Sequence, residues 1–258
     1  RVPFLLSVVV LIAGFVINGA SKAILIRGVG PSLSQYVTSP VFTDPILNLY
    51  IGSSTTPSQT NDDWGSGATL KALFTQLGAF PLLDGSKDAV IYSTLTPNLY
   101  TAQVNGSGSG LGIAEVYDAD SAENPTGRIV NLSARTQVGT GDAVLIAGFV
   151  ITGDFSKQVL IRAVGPTLST YGVTGVLADP KAELYLSGGT VPIQTNDNWG
   201  GGSTLKAAFN TVGAFALPDD ASKDAAMLAT LTPGAYSVVV SGVNNTTGVA
   251  LVEIYEMP

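Results

Sequence analysis

Two short polar stretches hold the residues best suited to chemistry, TNDDWG at 60–65 and TNDNWG at 195–200. Asp and Asn oxygens gathered in a turn are ligands that Ca²⁺ accepts. Carboxylates of two SKDA sequences further along the chain would be brought in by the fold. The candidate metal ligands are therefore Asp62, Asp63, Asp88, Asp197 and Asp224. Calcium is the one cofactor that this set suggests.

A structural interpretation of the same stretches competes with calcium binding. Asn61 and Asn196 are placed to form Asx turns, in which the side chain hydrogen-bonds nearby backbone. Trp64 and Trp199 would then fill the end of a β-sandwich with apolar surface. Neither stretch has the spacing of an EF-hand loop. We favour the structural interpretation.

The residue inventory excludes most enzyme classes. The chain has no His and no Cys, so it cannot form a Ser-His-Asp triad, a Cys-His pair or an ordinary zinc site. Paired carboxylates could still hydrolyse glycosides. The candidates are Asp62, Asp63, Asp88 and Glu115, which partly recur as Asp197, Asp224 and Glu253. A glycosidase cleft is normally lined with several aromatic residues, whereas each half of the chain has one Trp. We predict that the protein is not an enzyme.

The chain contains an internal repeat. LIAGFVI at 11–17 returns as LIAGFVI at 145–151, and ILIRGVGPSLS, TLKALF, SKDA and TLTPNLY return in the same order as VLIRAVGPTLS, TLKAAF, SKDA and TLTPGAY. The second LIAGFVI begins at residue 145, 134 positions after the first at residue 11. An ordered set of repeated segments indicates tandem copies of one structural unit. We predict repeat 1 at 1–118, a linker at 119–127 and repeat 2 at 128–258.

The amino-acid composition limits the kinds of partner and the cellular compartment that we expect. The net charge is −7, with only twelve Lys and Arg residues, and these are scattered. Nucleic acid is therefore not expected as a partner, because phosphate binding needs clustered basic residues. The opening apolar stretch is short for a bilayer-spanning helix, which needs about 20 residues, and no other segment is both long and free of polar residues, so no membrane span is expected. The absence of Cys fits a bacterial surface protein without disulfides.

Strand signals dominate each repeat. Short apolar or alternating runs such as AILIRGV, NLYI, LYTAQV and GIAEVYD are bounded by Gly, Pro, Asn, Asp and Ser. One segment has helical spacing instead, with Leu70, Leu73, Phe74 and Leu77 on one face. The predicted fold class is all-β, with two tandem antiparallel β-sandwich (jelly-roll-like) domains that each carry one short helix.

Arg27 and Arg162 occupy equivalent positions in strands of Ile, Leu and Val. Such an Arg either points to solvent or is buried against a carboxylate. Glu115 and Glu253 lie on equally apolar strands, so we predict a structural ion pair in each repeat.

The opening residues, RVPFLLSVVV, differ from the equivalent segment before the second LIAGFVI. Aligning backward from LIAGFVI places Arg1 opposite Arg135, which leaves no counterpart of GRIVNLSA in the first repeat. The opening residues also lack the Gly and Asp of RTQVGTGDAV that would turn the chain. We predict an extended strand that pairs with an edge or groove of a neighbouring subunit and gives a head-to-tail filament. The predicted assembly residues are Val2, Phe4, Leu5, Leu6, Val8, Val9 and Val10.

Two alternatives to this assembly role remain open. The strand either covers its own domain in a changed register, or the sequence is cut at this end.

The second repeat resembles a known group of domains. LYLSGG, QTNDNWGG and SKDAAMLATLTPGAYSVVVSGVNNTTGVALVEIYE are similar to repeat domains of large secreted proteins of Verrucomicrobia-like and planctomycete-like bacteria. More distantly they resemble bacterial pre-peptidase C-terminal domains, with their order of strand, NDD turn, strand, LxPGxYxVxVSG hairpin and strand. The resemblance implies an exported, usually non-catalytic sandwich module and supplies no catalytic residues.

Together these features predict an extracellular structural protein, a subunit of a bacterial surface filament or layer whose partners are copies of itself. Stable repeated sandwiches, little charge and a means of joining end to end all fit that role. The alternative is a carbohydrate- or surface-binding module of a larger secreted protein, with a surface polysaccharide as partner. Such a module should display an exposed aromatic platform or a cleft with convergent polar groups.

Overall fold

The computed structural model describes residues 10–107, 110–120, 127–141 and 143–258. The chain divides into two compact units, residues 1–130 and 131–258. This division falls inside the strand Gly127–Val138, close to residue 128, where repeat 2 is predicted to begin. The predicted all-β fold with few short helices is confirmed, since antiparallel sheets form most of each unit.

Unit 1 has the following elements among the described residues. The strands are β1 (Leu11–Gly19), β2 (Lys22–Val29), β3 (Asp44–Ile51), β4 (Gln59–Asn61), β5 (Ala89–Leu95), β6 (Asn98–Ser107) and β7 (Ile113–Asp118). The α-helix, α1, is Ala68–Gln76, and a 3-10 turn covers Pro31–Gln35.

Unit 2 repeats this order after one additional strand. The strands are β8 (Gly127–Val138), β9 (Leu145–Ile151), β10 (Lys157–Val164), β11 (Pro180–Leu186), β12 (Gln194–Asn196), β13 (Ala225–Leu231), β14 (Gly234–Gly242) and β15 (Gly248–Glu256). The α-helix, α2, is Ser203–Val212, and 3-10 turns cover Pro166–Tyr171 and Val243–Asn245.

Each unit is a sandwich of two sheets. In unit 1, strands β1, β6, β3 and β4 form one sheet in that order, and β5, β2 and β7 form the other. In unit 2, β9, β14, β11 and β12 correspond to the first sheet, and β13, β10, β15 and β8 lie in order in the second. The second sheet therefore has three strands in unit 1 and four in unit 2 among the described residues.

The helix adds a third layer outside the second sheet. Leu73 and Phe74 of α1 pack with Trp64 and with Leu25 of β2. Because side chains alternate along a strand, Ile24 and Ile26 face the opposite side, the sandwich interior, where both are fully buried. The central strand β2 is thus covered on both faces, which explains why its sequence is apolar almost throughout.

A glycine in the left-handed conformation follows each helix. Gly78 follows the end of α1 with φ of 67°, and Gly213 caps α2 with φ of 68°. Both are left-handed conformations that Gly adopts without steric cost. In the part of the chain that the structure describes, no helix is long and apolar enough to span a membrane.

Candidate functional site

A fully buried arginine occupies the layer between the second sheet and the helix in unit 1. Arg27 lies opposite Glu115 in the register of β2 and β7. Its Nε donates to Glu115 Oε2 at 2.8 Å, its Nη2 lies 2.5 Å from the same oxygen, and its Nη1 donates to the Phe80 carbonyl at 2.7 Å. The guanidinium carbon is 4.9 Å from the ring centre of Phe74 and 4.5 Å from that of Phe80. The charge is therefore both paired and enclosed by aromatic rings.

Unit 2 reproduces this arrangement. Arg162 donates from Nε to Glu253 Oε2 at 2.9 Å and from Nη1 to the Phe215 carbonyl at 2.5 Å. Its guanidinium carbon lies 4.9 Å from the ring centre of Phe209 and 4.1 Å from that of Phe215. All three guanidinium nitrogens of Arg162 thus contact a partner inside unit 2.

A tyrosine completes each ion pair. The hydroxyl of Tyr117 donates to Glu115 Oε1 at 2.7 Å, and that of Tyr255 donates to Glu253 Oε1 at 2.7 Å. Burial, followed by the neighbouring carboxylate, raises the pKa of both tyrosines above the usual range. Both hydroxyls therefore stay protonated and act as donors.

The two predicted metal ligands in the SKDA sequences are fully buried and hydrogen-bonded. Asp88 Oδ1 accepts from the backbone N–H of Gly30 at 2.8 Å, and Oδ2 accepts from the hydroxyls of Ser32 and Ser86. In unit 2, Asp224 accepts from Gly165 N at 2.8 Å, Thr167 Oγ1 at 2.5 Å and Ser222 Oγ at 2.7 Å. These carboxylates hold the Gly-Pro turn that follows β2 or β10.

The other predicted metal ligands lie at the surface. Asp62 and Asp197 are exposed, and Asp63 is exposed and forms an ion pair with Lys87 at 3.1 Å. No group of three or more acidic side chains that could hold a metal ion is found within the described ranges. The calcium hypothesis stays a prediction.

Asn61 and Trp64 fix the loop that carries these carboxylates. Asn61 Nδ2 donates to the Asp63 carbonyl at 3.0 Å, and its Oδ1 accepts from Val90 N of β5 at 2.8 Å. Trp64 is buried, and its indole N–H is 3.1 Å from Ser86 Oγ. Unit 2 uses Asn196, Trp199 and Ser222 in the same way. The residues in these stretches thus tie the helix layer to the edge of the second sheet.

One ion cluster was missed by sequence reasoning. Lys22 is buried and lies 2.9 Å from both Asp118 and Asp120, and it donates to the Gly127 carbonyl at 2.9 Å. Burial alone would lower the pKa of Lys22, but hydrogen bonds and charge from the two carboxylates raise it overall. Asp120 and Gly127 lie in the polar segment 119–127, whose composition predicts a linker and does not indicate a contact with Lys22.

The edge of β7 is the feature that most clearly differs between the units. In unit 2 the equivalent strand, β15, pairs with β10 on one side and with β8 on the other. Within the described residues, β7 pairs with β2 alone. We call the free side of Ile113–Asp118 the open β7 edge.

Exposure of the side chains agrees with this difference in pairing. Val252 and Ile254 of β15 are 0% and 5% exposed, whereas their counterparts Ala114 and Val116 are only half-buried. Ile113, on the other face of β7, is 38% exposed. With respect to the described residues, the open β7 edge therefore presents unpaired backbone together with apolar side chains, which is the usual composition of a strand-acceptor surface.

The predicted assembly residues fall almost entirely outside the described part of the chain. Val2, Phe4, Leu5, Leu6, Val8 and Val9 lie outside it, and Val10 is half-buried immediately before β1.

Each unit also displays an aromatic pair at its surface. Tyr36 is 59% exposed, and its ring meets that of Phe80 edge-on at 5.2 Å. Tyr171 is 60% exposed and meets Phe215 at 5.1 Å. The Phe of each pair also contacts the buried arginine of its unit, Arg27 for Phe80 and Arg162 for Phe215.

Comparison with known proteins assigns no family. No family model matches the chain, and no curated protein matches it. Among solved structures it is similar to one of PNGF-II in a C2 space group, with 11% sequence identity and a TM-score of 0.23. The match covers 100% of this chain, which spans 58% of the length of that one. Similarity this weak carries no argument about fold or function.

Proposed function

We propose that this protein is an extracellular structural subunit that assembles with copies of itself, head to tail, into a bacterial surface filament or layer. The observation that carries this proposal is the open β7 edge, because the equivalent edge of β15 in unit 2 is paired with β8. An apolar strand edge exposed to water is a ready site for pairing with another chain. The proposed assembly is non-catalytic.

The buried layer of each unit suits a load-bearing module. Arg27 and Arg162 are fully buried, and each is bound to a carboxylate on the neighbouring strand of the same sheet. Asp88 and Asp224 fix the turns beside them. Removing one member of such a set leaves an uncompensated buried charge, so the arrangement is held as a whole.

The hydrogen-bond pattern identifies which backbone groups the open β7 edge offers. Ala119 N donates to Ala23 O, so odd-numbered residues of β7 bond to β2. By alternation, the N–H groups of Ala114 and Val116 point to the free side. A Pro at Ala114 would remove a donor from the open β7 edge while keeping the ladder with β2, as Pro is tolerated where the N–H faces outward.

The test compares two proline variants of the full chain by negative-stain electron microscopy and light scattering. We expect the wild-type protein to form filaments or sheets and Ala114→Pro to stay monomeric. Thr94→Pro is the matched control, because β5 lies at the opposite edge of the same sheet. The N–H of Val90 in β5 bonds to Asn61 and so points away from β2, and by alternation along the strand the N–H of Thr94 does the same. Thr94→Pro should assemble like the wild type. Assembly of Ala114→Pro, or a wild-type protein that remains monomeric at high concentration, would contradict the proposal.

A surface-polysaccharide-binding module is the second candidate, and the exposed aromatic pairs favour it. Tyr36 and Tyr171 each present a partly free ring with a polar tip, held against a fixed Phe. A glycan array probed with the wild type and with the Tyr36→Ala, Tyr171→Ala double variant tests this role. Binding lost in the double variant would support it, and no binding by the wild type would remove it.

A further inference from the structure

The strand that closes the second sheet of unit 2 shows what the open β7 edge is shaped to accept. Leu132 and Ala134 of β8 lie opposite Ile254 and Val252 and pack against the sandwich core. Ser133 lies between them, opposite Glu253. An occupant of this edge thus has apolar residues facing inward, on either side of a small polar residue facing the carboxylate.

The opening residues of the chain contain this pattern. Leu6, Ser7 and Val8 match Leu132, Ser133 and Ala134 in order. This register differs from the one set by LIAGFVI, which places Arg1 opposite Arg135. Building on the self-assembly proposed above, we infer that Arg1–Val10 of a second copy completes the β5-β2-β7 sheet, with Ser7 opposite Glu115.

The remaining residues of the segment suit this register. Leu6 and Val8 would face the half-buried Val116 and Ala114, whose N–H groups point to the free side. Pro3 is odd-numbered like Ser7, so its missing N–H would lie on the side away from β7 and cost no ladder hydrogen bond. Pro3 would also discourage a further strand from adding beyond it.

The length of the connection explains why the donor is another copy. In unit 2, ten residues separate Ala134 from the start of β9. Residues 135–138 extend β8, and Gly139 N then donates to Ala143 O. In the proposed register only Val9 and Val10 separate Val8 from β1. Three Cα–Cα steps reach about 11 Å, too short for a strand continuation followed by a turn between sheets about 10 Å apart.

Disulfide trapping tests both the register and the donor. The chain has no native cysteine. If Ser7 lies opposite Glu115, then Val9 lies opposite Ile113, and Ile113 belongs to the odd-numbered residues that form non-hydrogen-bonded pairs on the free side. Such pairs have Cα atoms about 4.5 Å apart, within the range for a disulfide. Mixing full-length Val9→Cys with full-length Ile113→Cys should give a heterodimer on a non-reducing gel.

The control pairs Val8→Cys with Ile113→Cys, since residue 8 would face the other side of the sheet. We expect little cross-linking from that mixture, and circular dichroism checks that each variant is folded. Equal cross-linking of residues 8 and 9, or a monomeric intramolecular disulfide in the Val9→Cys, Ile113→Cys double variant, would overturn the inference.

The same experiment separates this inference from the proposed function. Assemblies that form without the cross-link between residues 9 and 113 would overturn the strand assignment and leave self-assembly standing. Cross-linked dimers without larger assemblies would support the strand pairing and refute the filament or layer. Absence of both cross-link and assembly would overturn both.

Discussion

Replacing Arg162 with Met should expose the cost of an unpaired charge inside unit 2. Met keeps an unbranched apolar chain between Phe209 and Phe215 but removes all three hydrogen-bonding contacts of the guanidinium. Glu253, with a side chain only 8% exposed, would keep the Tyr255 hydroxyl as its one remaining side-chain partner among the residues that the structure describes. The carboxylate would then be buried without a compensating charge.

Loss of one partner from a buried ion pair costs about 3–5 kcal/mol. A domain is typically stable by about 5–15 kcal/mol, so Arg162→Met should remove a large share of the stability of unit 2. Arg27→Met should cost less, because the Glu115 side chain is 17% exposed and can gain water at the open β7 edge. The expected order is therefore a larger loss in unit 2 than in unit 1.

Each unit contains one Trp, which allows the two losses to be measured separately. Urea unfolding followed by Trp199 fluorescence in a Trp64→Phe background reports on unit 2. Trp64 fluorescence in a Trp199→Phe background reports on unit 1. The m-value should stay unchanged in both series if only stability has changed.

Two results would refute this reasoning. A loss below about 1 kcal/mol for Arg162→Met would show that Glu253 is not isolated by the substitution. Adding Glu253→Leu should recover much of the lost stability, because an apolar pair can replace a buried ion pair with little cost. A double variant no more stable than Arg162→Met would show that burial of the charge was not the cause.

Three further predictions concern other contacts. Burial alone would raise the pKa of Asp120, but the Ala23 N–H and Lys22 hold that pKa below its ordinary value. The ionised Asp120 therefore contributes stability above about pH 4, and this contribution is lost as the pH falls. We expect Asp120→Asn to flatten the acid limb of a curve of unfolding free energy against pH. Asn196→Ala removes the acceptor of a backbone N–H in β13 and should cost about 1–3 kcal/mol by urea unfolding; a loss below 0.5 kcal/mol would contradict the loop-fixing role. Addition of a chelator should leave the melting temperature of the protein unchanged. A chelator-induced fall in melting temperature that Ca²⁺ reverses, and that the Asp62→Ala, Asp197→Ala double variant does not show, would establish the calcium site.

The fold class could be predicted because its signals are local and occur twice. Alternation identifies strands over a few residues, and the helical spacing of Leu70, Leu73 and Phe74 interrupts it at the same place in both repeats. Arg27 and Glu115 were expected to meet because both lie on apolar strands, and they are directly opposite in the register of β2 and β7.

Contacts between distant loops were not accessible to the same reasoning. Ser32 and Ser86 reach Asp88 from two turns whose sequences read only as turn signals, although both recur in the second repeat as a hydroxyl residue. Lys22 joins its carboxylates across about 100 positions of the chain. Such pairings depend on how strand ends are brought together, which no local pattern encodes.

Strand addition at the open β7 edge should also link the stability of unit 1 to protein concentration. Under β8, the Glu253 side chain is 8% exposed, whereas the Glu115 side chain beside the open β7 edge is 17% exposed. A strand added there would exclude water from the ion pair of Arg27 and bind only the folded unit. Binding to the native state alone stabilises it by about 2.7 kcal/mol when free donor strand is at 100 times its Kd. The melting temperature reported by Trp64 should therefore rise with chain concentration, while that reported by Trp199 stays constant. Ala114→Pro should make the melting temperature reported by Trp64 independent of chain concentration and leave that reported by Trp199 unchanged. If both melting temperatures of the wild type rise equally with concentration, assembly does not act through this edge.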